Sequence, residues 1–240
     1  MGHRPGSGSQ RPACRRHQVV LPAALGPSTT TITAVQHDPM RTTGRIVILN
    51  GAPRSGKTSV ARAIQGLAGE PWLNLGVDAV MGATPARWLP GIGLRPGGER
   101  PDLEPLTEAL YLGLYDSVAA LARRGIDVVV DAGHHDAYSA PRRILPRVAA
   151  DLAGLDALVV GVRCPIDEIV RRRVAATPGA YAIDAGAAAR WDAAVHDPGI
   201  YDLEVDTSVL SPEEAAATIL ERLRDGPATT ALDRLTAIGL

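Results

Sequence analysis

The chain has 240 residues, 45% of them hydrophobic, with 25 Lys and Arg against 26 Asp and Glu and a formal net charge of −1. That length suits one sizeable α/β domain rather than two, and the balanced charge gives no footprint for nucleic acid or an anionic membrane. No run of about 18 apolar residues marks a membrane span, and the basic start from Met1 to Arg16 lacks the apolar stretch of an export signal. Cys14 and Cys164 have no metal-ligand or redox spacing. The expectation is a soluble, cytoplasmic protein that acts on small molecules, with Cys164 as buried packing.

Residues 1–43 are rich in Arg, Pro, Gly, Ser and Thr without a sustained period, the composition of a disordered leader. Met40 lies a few residues before the first strand and is an alternative start. Residues 44–225 alternate between strand-like and helix-like runs. Strands are expected at Ile46–Asn50, Trp72–Val77, Ile126–Val130, Leu155–Val162 and Tyr201–Val205. Helices are expected near Ser59–Ala68, Leu106–Arg124, Pro141–Ala153, Ile166–Ala175, Ala187–Val195 and Pro212–Arg224. Such alternation predicts an α/β fold with a five-stranded parallel sheet and helices on both faces, the three-layer P-loop kinase arrangement. Ser211, Pro212, Glu213 and Glu214 form a well-capped helix start. Residues 81–105, dense in Gly and Pro, are expected to form an irregular substrate cap, and residues 226–240 a weakly specified tail with a short helix at Ala231–Ile238.

After the first strand, Gly51, Ala52, Pro53, Arg54, Ser55, Gly56, Lys57 and Thr58 match G-x-x-x-x-G-K-[ST], and Ser59 opens the following helix. Strand, glycine-rich turn and helix N-terminus together make a phosphate cradle. Lys57 would reach the β- and γ-phosphates of ATP, and Thr58 would ligate Mg2+. Arg54 is either a pocket residue or a brace.

In open α/β sheets ligands lie beyond the carboxyl ends of the strands. Asp78 and Asp131 end two apolar runs, so one carboxylate can accept a hydroxyl proton while the other helps hold the metal. Asp78 is assigned the first role and Asp131 the second, against the alternative of ordinary turn aspartates. Asp127 reads as a polar strand residue. His134 and His135 either line the substrate pocket or sit in a solvated loop, and His196 fits a turn at a helix end. Arg171, Arg172 and Arg173 are candidates for a lid near 171–190 that closes on phosphate, with Arg172 taken as the catalytic contact and Arg190 as a second candidate. A solvated basic helix face is the alternative.

The ordered elements Ile48 to Thr58, Pro71 to Leu73 with Gly76 to Asp78, Val128 to Asp131, Gly161 to Cys164, Val195 with His196, and Tyr201 to Ser208 resemble the chloramphenicol phosphotransferase family over about Arg45 to Leu223. The resemblance implies phosphorylation of a primary hydroxyl of chloramphenicol by ATP, with Asp78 as base. Two departures stand out. Arg171 to Ala180 lacks the Arg-Gly-Asp-Arg element of the family's lid, and Pro90 to Arg100 is a distinctive insert. A kinase of another small alcohol (a nucleoside, a sugar or a metabolite) and a nucleotide-dependent switch without an acceptor are therefore the alternatives.

Overall fold

The computed structural model describes residues 42–89, 100–176, 185–225 and 230–239. The expected leader, Met40, Cys14, most of the insert before Arg100 and the Thr177–Ala180 bend lie outside them.

Runs of Val, Ile and Leu, apolar on both faces, make strands that must be covered on both sides. They form β1 (Arg45–Asn50), β2 (Trp72–Asn74), β3 (Asp127–Ala132), β4 (Asp156–Arg163) and β5 (Leu203–Asp206). The strands pair in parallel in the order β2-β3-β1-β4-β5. Between and after them lie α1 (Lys57–Leu67), α2 (Val77–Ala83), α3 (Glu104–Ala122), α4 (Ile144–Asp151), α5 (Ile166–Ala176), α6 (Ala185–Val195), α7 (Pro212–Arg224) and α8 (Thr230–Gly239).

The two-residue period of β1 sorts the core into layers. Ile46 and Ile48 face α3, α4 and α8, packing with Tyr115, Val118, Val148 and Leu235. Val47 and Leu49 face α1 and α7, packing with Val60, Ile64, Ala216 and Ile219. Ser211 caps α7 as the sequence predicts, and Glu214 returns the bond to complete a reciprocal capping box. A smaller cluster of Ala52, Cys164, Ile169, Ala188 and Val195 seats α5 and α6 over the carboxyl ends of the strands.

Several motif residues serve the sheet. Asp127 is a buried strand residue whose carboxylate accepts from the backbone N–H of Arg45 and, at 2.6 Å, from its guanidinium. Gly161 leaves room for the Tyr201 ring, which a Cβ there would approach to 2.7 Å. Arg163 makes a two-pronged ion pair with Glu204 on the neighbouring strand.

Three expectations change. The run Trp72–Val77 is not one strand: β2 stops at Asn74, and Asp78 lies in the first turn of α2 rather than at a strand end. At the bend Gly76 packs against the end of β3, so tightly that a Cβ would sit 2.6 Å from the Asp131 carbonyl oxygen. The cap region is only partly irregular, since α2 runs to Ala83, single 3-10 turns form at Ala86–Trp88 and Pro101–Leu103, and α3 starts at Glu104. The tail is better specified than its composition suggests. Ala231, Leu232 and Leu235 of α8 are buried in the core, and the Asp202 carboxylate accepts from the N–H groups of both Ala231 and Val159.

Candidate active site

The sheet order makes the chain leave β1 toward β2 and leave β4 toward β5, which opens a crevice beyond the carboxyl ends of those two central strands. The glycine-rich loop occupies it. Arg54 and Gly56 take positive φ, 71° and 98°, turning the loop so that α1 begins at Lys57 with its first N–H groups facing the crevice. Ser55 N–H donates to the Ala52 carbonyl across the turn at 3.1 Å. Lys57 is buried, and its ammonium donates to the carbonyls of Gly51 and Ala52 at 2.9 and 3.0 Å. Burial lowers its pKa, opposed by the charges of Asp131 and Asp78.

The two candidate carboxylates converge here. Thr58 Oγ1 donates to Asp131 Oδ2 at 2.5 Å, and Asp131 Oδ1 stands 4.0 Å from Lys57 Nζ. Because Gly76 abuts Asp131, α2 starts beside the end of β3 and presents Asp78, exposed, to the same cleft. An aspartate in a helix's first turn thus reaches where a strand-end aspartate was expected.

One cleft of about 690 Å3 contains the loop and both carboxylates. Gly51, Pro53, Arg54, Gly56, Lys57, Thr58 and Ser59 line it. Ala52 and Ser55 do not: they are almost wholly buried and shape the loop through their backbone. On the β5 side the cleft is bounded by Arg172, Thr207, Leu210 and Pro212. Arg172 donates to Glu168 at 2.7 Å and to the Thr207 hydroxyl and carbonyl at 3.0 and 2.6 Å, while the Thr207 hydroxyl donates to the Ser55 carbonyl at 2.6 Å. Arg171, exposed, pairs outward with Glu168, and Arg190 is exposed on α6. Of the lid candidates among the described residues, Arg172 is therefore the one that lines the cleft.

On the β3 side Val77, Val80 and Met81 of α2, Leu110, Tyr111 and Leu114 of α3, and Trp191 of α6 build apolar walls. The paired histidines separate. His134 is buried, with Nε2 2.7 Å from Tyr115 Oη, and burial followed by the neighbouring His135 lowers its pKa to about 3. It does not line the cleft, whereas His135 does. His196 is also structural: its Nδ1 lies 2.6 Å from Tyr201 Oη, and burial, reinforced by Arg163, lowers its pKa to about 4.

Sequence reading missed Asn50, whose carboxamide joins three elements. It accepts from His134 N–H at 2.7 Å and donates to the Val195 carbonyl at 2.7 Å and to Tyr201 Oη at 3.1 Å. Its place at the last position of β1 was the available signal. Thr207 lies in the Tyr201–Ser208 element that carries the family resemblance, whereas Tyr111 and Trp191 come from separate elements without a common spacing.

The strand order, the layers and the loop make this a P-loop kinase fold. Solved structures agree on the fold. The APS kinase of Mycobacterium tuberculosis, solved with AMPPNP and APS, is 22% identical, with 77% of this chain and 99% of that chain covered at a TM-score of 0.55. The shikimate kinase of Acinetobacter baumannii, solved with shikimate, is 17% identical, with 77% and 95% covered at 0.51. A family model for chloramphenicol phosphotransferase-like proteins matches residues 44–224, and the chain belongs to that family. Proteins from two strains of Mycobacterium tuberculosis, provisionally named O-phosphotransferases, are each 28% identical over 206 residues, 80% of this chain and 88% of theirs. Among the described residues no helix is long and apolar enough to cross a membrane.

Proposed function

We propose that this protein uses ATP to phosphorylate a hydroxyl of a small neutral molecule, with chloramphenicol as the leading acceptor. The observation that carries the reading is the convergence of Lys57, Thr58, Asp131 and Asp78 in one cleft whose other wall is largely apolar. The loop N–H groups and Lys57 stabilise charge on the transferring phosphoryl group. Asp78 accepts the proton as the acceptor oxygen bonds to the γ-phosphorus and the bond to the ADP oxygen breaks. Arg172, held at the cleft by Glu168 and Thr207, is the guanidinium that would contact nucleotide phosphate.

The Thr58 hydroxyl and Asp131 carboxylate form an all-oxygen pair that fits Mg2+, which takes one or two protein ligands and completes its shell with phosphate oxygens and water. Bound there, it would neutralise phosphate charge. Support for chloramphenicol comes from family membership and from the chemistry of the wall. Among the described residues the arginines lining the cleft, Arg54 and Arg172, belong to the phosphate loop and the β5 side. The acceptor wall thus suits a neutral alcohol with an apolar body rather than an anion.

Mass spectrometry of chloramphenicol incubated with protein, ATP and Mg2+ tests the reading. A phosphate adduct should form, and Asp78→Asn should lower turnover by about two or more orders of magnitude while nucleotide affinity stays within about two-fold. Full activity in the variant would remove Asp78 as base. Absence of an adduct despite ATP binding would discard chloramphenicol as the acceptor.

A further inference from the structure

We infer that Tyr111 determines acceptor specificity, its phenol oxygen accepting a hydrogen bond from an O–H or N–H group of the substrate other than the reacting hydroxyl. The inference rests on the phosphotransferase reading and extends it to a residue outside the phosphate machinery.

Helical spacing puts Thr107, Leu110, Tyr111 and Leu114 on one face of α3, and all four line the cleft. Thr107 turns its hydroxyl back onto the Leu103 carbonyl at 3.1 Å, and the leucines are apolar, so the phenol is the group on this face that can address a polar substituent. Its O–H donates to the Gly133 carbonyl at a long 3.4 Å. Gly133 lines the same cleft, which puts the oxygen end of Tyr111 at the wall beyond the carboxyl end of β3. A phenol oxygen that donates still has lone pairs with which to accept. Among the described residues no protein donor occupies them.

The surroundings call for a donor. A carbonyl and a phenol oxygen stand side by side, and burial, reinforced by the negative charge of Asp131, raises the phenol's pKa and keeps it protonated. Such a corner disfavours a substrate carbonyl or carboxylate and suits an O–H or N–H. The phenol is also held in place. Its ring packs against the buried imidazole of His134 at 5.0 Å between centroids, and that imidazole is fixed by Tyr115 Oη at 2.7 Å. The start of α3 is tied to the segment after β3, where the buried Glu104 carboxylate accepts from Ser139 N–H at 2.9 Å and from Arg142 Nη2 at 3.1 Å. A fixed polar group among apolar surfaces is what orients a ligand in a pocket. The ligand class that matches is a neutral alcohol with an apolar body and a second O–H or N–H; chloramphenicol offers a secondary hydroxyl and an amide N–H.

The test uses the full chain with MgATP and whichever of chloramphenicol, nucleosides and sugars the wild-type protein phosphorylates. Tyr111→Phe keeps the ring and its packing and removes only the oxygen. It is compared with wild type on that acceptor and on analogues in which each second O–H or N–H is replaced by hydrogen or methylated in turn. The expected result is a rise of about five-fold in acceptor KM for the variant, with a smaller change in kcat and ATP KM within about two-fold. On the analogue that lacks the bonded donor, wild type and variant should have the same KM. An unchanged acceptor KM in the variant overturns the role of Tyr111 alone. So does an equal rise on the acceptor and on every analogue, which would mark the oxygen as merely structural. Wild-type protein that binds MgATP but phosphorylates no member of the panel overturns the phosphotransferase reading, and Tyr111's role with it.

Discussion

The two ends of the cleft are built by opposite strategies. The proposed phosphate end comes mainly from one short contiguous segment, Gly51 to Ser59, joined by Asp131 of β3, and would work through backbone geometry, a buried ammonium and the Thr58–Asp131 pair. The proposed acceptor end comes from α2, α3, the segment after β3 and α6, and would work through side-chain shape. Phosphate is the same in every nucleotide and rewards a fixed backbone cradle, whereas acceptor alcohols differ and are read by walls that change residue by residue. On the proposed reading, chemistry and specificity are carried on separate parts of one fold.

Lys57→Ala should give the largest effect and draws the comparison most sharply. It should lower kcat/KM by about 10²–10³-fold, the range for removing a donor to developing charge, while acceptor affinity measured by calorimetry stays within about two-fold. An equal loss of acceptor affinity would break the division between the two ends. Gly76→Ala probes the seam between them. The added Cβ would sit 2.6 Å from the Asp131 carbonyl oxygen and must push α2, with Asp78, away from β3. Turnover should fall by about ten- to a hundred-fold through misplacement alone, and an unchanged kcat would show that Asp78 does not depend on this packing.

The smallest effect concerns stability and should not distinguish the ends, because each has a buried histidine behind it. His134 backs the acceptor wall and His196 meets Tyr201, which is bonded to Asn50 beneath the loop. Their pKa values fall from 6.5 to about 3 and about 4, so the folded protein holds both neutral while the unfolded chain binds protons first. Their contribution is complete above about pH 6.5 and is lost as the pH falls toward the folded values. Lowering the pH from 7 to 5 should cost about 2 kcal/mol per histidine, read as a shift of the urea midpoint. A flat profile would mean that the rings accept protons in the fold.

How much was legible in the sequence follows the same division. The phosphate loop could be read because its eight residues are contiguous and each answers a local demand for a turn, a donor or a hydroxyl. The sheet was legible because apolar runs of that length have to be covered on both faces. Asp78 was identified as a residue but given the wrong element, since the bend at Gly76 depends on how closely β3 approaches, a fact of tertiary packing. Arg172 was chosen over Arg171 and Arg173 without a local reason, and its bonds to Glu168 and Thr207 supply the reason it lines the cleft. His135 was legible as a pocket candidate beside Asp131, but not as the one of the two histidines that lines the cleft, and Tyr111 and Trp191 share no spacing with it because the wall is assembled in space from distant segments.

The placement of α8 has a practical consequence for anyone shortening or tagging this protein. The family match ends at residue 224, and a cut there would look clean by homology. Yet Ala231, Leu232 and Leu235 complete one face of the central sheet, and Asp202 ties that helix to β4. A chain ended at the family boundary would bare an oily strip along α4 and β4, inviting clumping during expression. The usable gene fragment is therefore set by the last layer of packing and runs at least to Gly239, beyond the end of the family match.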